Sequence, residues 1–199
     1  MKLLLLSAFL LMISSLAMAT PDSSQLGPYV VSFDLNTNIQ YQIQTAQPTQ
    51  NAYATAYQMR IFTDNSTYAI IGVTHYNDLT DATLSMHKSL MQLQMYLSGL
   101  NATAIDDTVI DGKAGFAATF VPLSGVQGIP ADAKLYSALY WLDAKDCSEC
   151  GPVSVGQTYV AMTSTYPQDV TQSLLASLHV EEGQAAATGT SADMPPAQN

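Results

Sequence analysis

Two cysteines, spaced as Cys147-Ser148-Glu149-Cys150, are the only thiols in the chain. That is the spacing of redox dithiols, in which one thiolate attacks a substrate disulfide and the second resolves it. Such pairs sit at a helix N-terminus, where the first thiol's pKa is lowered. Here Asp146 and Glu149 surround the pair, Gly151-Pro152 follows, and the segment lies between two predicted strands. Nearby carboxylates raise a thiol's pKa, so the expectation is a Cys147–Cys150 disulfide clipping a hairpin loop, with redox exchange as the alternative. Zinc takes four ligands and this pair offers two, so it would have to recruit His75, His87 or His179 from distant segments. No metal and no cofactor is expected.

The histidines are scattered, one on a predicted strand and one on each of two predicted helices. None has a carboxylate or serine at a meaningful spacing, so a hydrolase triad has no support. Asp106, Asp107 and Asp111 could suggest calcium, but an EF-hand loop counted from Asp107 puts Val109 third and Ala118 twelfth, where oxygen ligands belong. A two-residue hairpin turn on Asp111-Gly112 accounts for the same residues. Asn65-Ser66-Thr67 and Asn101-Ala102-Thr103 match the acceptor of N-linked glycans, the first at a predicted hairpin tip and the second just past a helix end. Tyr53, Tyr57, Tyr68 and Tyr76 fall on one predicted hairpin. Exposed, they would form a binding patch of large contact area and low ordering cost; the competing reading packs them beneath a helix.

The element expected to organise these groups is a helix over Asp78–Leu100. Ala82, Met86, Leu90, Leu93 and Leu97 recur at three- and four-residue steps, with Leu84, Met91 and Met95 widening the stripe. Asp78 or Thr80 can cap its start, Asp81 suits its dipole, and Gly99 can end it in the left-handed conformation. Its apolar side should cover a sheet. Strands are expected over 29–35 and 41–45, joined by a turn at 36–38, then over 53–62 and 67–76 as a hairpin. A second hairpin, 104–110 with 115–121, turns on Asp111-Gly112. The stretch 134–143 is apolar on both faces and should be central; 157–165 is a further strand, and Tyr166-Pro167 opens a shorter helix carrying Val170, Leu174 and Leu178.

Residues 1–19 read as a secretory signal: Lys2, an apolar run from Leu3 to Leu16, and the small-x-small site Ala17-Met18-Ala19. The mature chain then starts near Thr20, with a leader loop over 20–28, one domain over 29–180 and a disordered tail over 181–199. The apolar run is short for a membrane span and no second follows, so no stable membrane insertion is expected. With 16 acidic against 6 basic residues and a net charge of −10, the chain lacks the basic surface that nucleic acid or anionic membrane requires.

Strands, a long helix, a hairpin turned on Ile110-Asp111-Gly112-Lys113, two strands and a terminal helix: this order resembles the PsbP/Mog1-like α+β fold, an antiparallel sheet covered by helices. The ending from Ser164-Thr165-Tyr166-Pro167 through Leu174-Leu175 to His179-Val180 is similar to small exported proteins of methanogenic archaea. The resemblance implies a non-enzymatic accessory or binding role, docking onto another exported or envelope protein, and carries over no catalytic residue. Two alternatives stand beside it: a thiol-disulfide protein using Cys147 and Cys150, and an acidic glycoprotein subunit of a surface layer.

Overall fold

The structure is a computed structural model that describes residues 21–78, 83–126, 129–147 and 153–183. The leader over 1–19 with its cleavage site, the tail from 184 and Cys150 lie outside the described residues. The architecture is α+β, with two helices packed against a multi-stranded antiparallel sheet that does not close into a barrel.

The chain opens with β1 (Asp22–Leu26) and β2 (Tyr29–Phe33), then β3 (Gln42–Thr45), β4 (Thr49–Gln50), β5 (Ala54–Phe62) and β6 (Tyr68–Tyr76). Helix α1 (Leu84–Leu97) follows, then β7 (Leu100–Ile110), β8 (Lys113–Pro122), β9 (Leu135–Trp141), β10 (Lys145–Cys147), β11 (Val153–Val155) and β12 (Thr158–Ser164). Helix α2 (Gln168–Ser177) and β13 (His179–Glu182) complete it. The large sheet runs β3-β5-β6-β12-β9-β8-β7, with β4 beside β5; β1-β2-β13 form a second sheet, and β10 pairs with β11.

Period-two alternation gives the large sheet two unlike faces. Its inner face, with Met59, Ile61, Ile71, Val73, Tyr140, Val160 and Met162, packs on the second sheet (Val31, Phe33, Val180), on α2 (Val170, Leu174) and on Leu178 just after it as one core. Strand β9 lies between β8 and β12 and is buried over its last five residues. Its other side places Leu139 and Trp141, with Phe116 and Phe120 of β8, under α1.

Four expectations are corrected. The leader read as a loop contains β1, because Gly27 makes a tight turn at φ +63° that returns the chain as β2 in antiparallel register. Strands 29–35 and 41–45 are not paired; β2 belongs to the second sheet and β3 joins β5. Glu181 and Glu182, assigned to the tail, extend β13 along β2. Helix α1 is shorter than 78–100: Thr83 caps it, its hydroxyl accepting from the Met86 N–H at 3.2 Å, and Gly99 ends it at φ +82°. Asp81 and Ala82 lie outside the described residues.

The largest difference concerns the orientation of α1. Met86, Leu90, Leu93 and Leu97, expected to cover the sheet, are 51, 58, 56 and 77 % exposed. Leu84, His87, Lys88, Met91 and Met95 are the half-buried side. The rotation is set by two anchors: Lys88 reaches Asp107 at 2.6 Å, and His87 lies against Trp141 and Tyr159. Among the described residues no helix is long and apolar enough to cross a membrane.

Candidate functional site

Helix α1 stands over β7, β8 and β9. It leaves the outer face of β12, β6, β5 and β3 open, and there the sheet forms a trough of about 470 Å³. The floor is built of small side chains in register across three strands: Ala56 opposite Thr74, and Gly72 opposite Ala161. A Cβ built on Gly72 would stand 3.7 Å from the Tyr57 carbonyl, so this floor has space. Gln47, Thr49 and Gln58 contribute to the walls, with Tyr159 towards α1. No Asp, Glu, Lys, Arg or His is among its lining residues.

An aromatic group joins trough to helix. The His87 ring is 5.0 Å from Tyr159 and 5.4 Å from Trp141, and Tyr76 is 5.9 Å from Tyr159. His87 Nε2 and Trp141 Nε1 are buried without a hydrogen-bond partner in the protein; the steep ring angles, 75° between His87 and Trp141, favour N–H groups aimed at ring faces. Burial lowers the His87 pKa, so the ring is neutral at pH 7.

A second polar group occupies the opposite side of the sheet. Asp111 and Gly112 make the expected hairpin turn with φ of +52° and +70°. The Asp111 carboxylate, 8 % exposed, accepts from His179 Nδ1 at 2.6 Å, Lys113 Nζ at 2.9 Å, the Val180 N–H at 3.2 Å and the Tyr140 hydroxyl at 3.3 Å. Burial would raise its pKa, but the bonds from His179, Lys113 and Val180 outweigh that and lower it. The bond to Asp111 in turn raises His179, and burial beside Asp111 raises Tyr140. The sequence separation of 68 between His179 and Asp111 hid this pair from any reading of local spacing; the only sequence signal was that a hairpin-turn aspartate stood among predicted apolar strands.

The remaining candidates are separated. His75 of β6 bonds the Thr158 hydroxyl of β12 at 2.9 Å. Among the described residues no group of three or more His, Cys, Asp or Glu is placed to hold a metal. The tyrosines are divided: Tyr57 turns inward onto Tyr29 at 5.8 Å, Tyr76 joins the aromatic group, Tyr68 stacks with the Arg60 guanidinium at 4.8 Å, and Tyr53 is 78 % exposed just before β5. Tyr68 and Tyr76 are at opposite ends of β6. Asn65 is exposed in the β5–β6 turn, whereas Asn101 is an exposed residue of β7 and not of a loop. Cys147 ends β10 with its backbone opposite Val153; Cys150, and with it the pairing of the two thiols, lies outside the described residues. Compared with family models, with curated proteins and with solved structures, the chain matches none.

Proposed function

We propose that the chain is an exported, non-enzymatic accessory or binding protein, acting at the cell surface or extracellularly through the outer face of its large sheet. The observation that carries this is the juxtaposition of an exposed apolar helix stripe with an open, uncharged trough on that face. Contiguous apolar surface of this kind marks interaction sites. The Asp111–His179 pair has its carboxylate occupied in tying a hairpin to β9 and β13, which supports a structural role for it. The PsbP/Mog1-like resemblance read from the sequence carries the suggestion of a docking role. Export rests on the leader-like residues 1–19, and glycans on Asn65 and Asn101 would accompany it.

The test is the mass of the protein recovered from its own cells without reductant, measured under native and denaturing conditions. Cleavage, glycans and a disulfide appear in both spectra; a bound partner or ligand appears only in the native one. Binding through this face predicts a difference that Leu93→Glu removes. Equal masses across the cellular concentration range would overturn the reading.

A further inference from the structure

We infer that the partner on this face is a second copy of the chain, the exposed stripe of α1 in each copy seating on the open half-sheet of the other. The inference rests on the binding reading above and names its partner. Three observations carry it.

The first is shape. One face carries both a ridge over β7, β8 and β9 and a vacant floor over β12, β6, β5 and β3. A two-fold axis parallel to the strands, between two facing sheets, puts each ridge over the other floor. This is the isologous arrangement that closes a dimer. Four strands span about 19 Å, enough for one helix of about 10 Å diameter with its flanks. The floor residues Ala56, Gly72, Thr74 and Ala161 are small where large knobs would enter.

The second is the helix itself. It is apolar on two opposite sides, Leu84, Met91 and Met95 towards its own sheet and Met86, Leu90, Leu93 and Leu97 away from it. A helix apolar on two opposite sides is suited to lie between two layers, and the second copy supplies the missing layer. With α1 14 residues or about 21 Å long, ridge and floor together give a footprint of roughly 600 Å² before side-chain relief is counted. That approaches the roughly 800 Å² per partner of a standard interface.

The third is charge. The chain has 16 acidic residues, and α1, β3, β5, β6 and β12 contain none of them. A two-fold contact brings like surfaces together, so acidic groups there would repel their own copies. Lys88 and Arg60 are the only Lys or Arg in these elements, and depletion of charge is also the compositional mark of an interface core.

Sedimentation of the mature recombinant chain, alone and up to millimolar concentration, tests this. Monomer and dimer should exchange with concentration, and the dimer should tighten with salt as the acidic rims are screened. Leu93→Glu on the ridge and Gly72→Leu on the floor should each weaken it roughly 100-fold or more, because symmetry repeats each change twice. Leu93 is exposed and a Cβ on the half-buried Gly72 meets nothing nearer than 3.7 Å, so the circular dichroism of the separated monomers should be unchanged. A chain that stays monomeric throughout overturns the inference, as does a dimer that either variant leaves intact. Those results leave the binding reading standing; that reading falls only with equal native and denaturing masses of the cellular protein.

Discussion

Replacing Asp111 by Asn isolates the carboxylate from the turn it makes. Asparagine tolerates the left-handed conformation at φ +52° as well as aspartate does, so the hairpin geometry is kept. What changes is charge: His179 and Lys113 lose an ionised acceptor, while the Val180 N–H can still bond the amide oxygen. Bonds to charged groups contribute about 1.5–3 kcal/mol each when buried. His179 is 52 % and Lys113 28 % exposed, so solvent screening reduces both. A net loss of about 2 kcal/mol follows at mildly acidic pH. The pH course is the sharper test. The lowered Asp111 pKa makes its share present above the ordinary carboxyl range and lost as pH falls through the folded value. The raised His179 pKa makes its share complete below the ordinary imidazole value and lost as pH rises through the folded one. Urea unfolding of wild type and Asp111→Asn should therefore differ most near pH 5–6, less near pH 9, where Lys113 alone remains, and little near pH 2. A difference constant from pH 5 to 9 would refute the His179–Asp111 coupling.

Three further outcomes follow from the packing. His87→Phe should flatten the acid limb of stability, because the lowered pKa of this buried ring makes wild type lose stability as pH falls below about 6.5; parallel acid limbs for variant and wild type in urea titrations would contradict that. Leu174→Ala, at a fully buried α2 position, should cost about 2–5 kcal/mol, whereas Leu90→Ala should cost under about 0.5 kcal/mol when measured at monomeric dilution. Equal losses would return the α1 stripe to the core. Gly27→Ala should lower the melting temperature markedly, since Gly27 is at φ +63° and a Cβ there would run into the Tyr57 ring; a shift of only a degree or two would show that turn and ring can both give way.

Local signals carried most of the elements. The Asp111-Gly112 turn, the two-faced apolar run that became β9 and the left-handed Gly99 each followed from residues within a few positions. Partners far along the chain were hidden. Strand β1 is DSSQL, polar enough to read as loop, and becomes a strand because β2 pairs along its length. The short β13 depends on β2, nearly 150 residues earlier, and the Asp111–His179 pair depends on β13. Period-two alternation placed Tyr53 and Tyr57 on one side, but the chain turns at Asn51, whose side chain accepts from the Tyr53 and Ala54 N–H groups, and only the strand proper keeps the alternation.

Helix α1 shows why periodicity found a helix yet misjudged its facing. A 3.6-residue repeat fixes which residues share a side; it does not say which of two apolar sides meets the sheet. Met86, Leu90, Leu93 and Leu97 form the larger stripe, so hydrophobicity alone turns that side inward. The observed facing is decided by side chains outside the stripe. Turning the larger stripe inward would break the 2.6 Å Lys88–Asp107 pair and move His87 off Trp141 and Tyr159 into water. It would also bring Leu84, Met91 and Met95 to the surface, so one apolar side would still be exposed. No rotation of this helix buries both sides within one copy. The residue that sequence reasoning left over, a second apolar side merged into a single widened stripe, is the same surface that a facing sheet would cover, and its composition is satisfied only when a second layer is present.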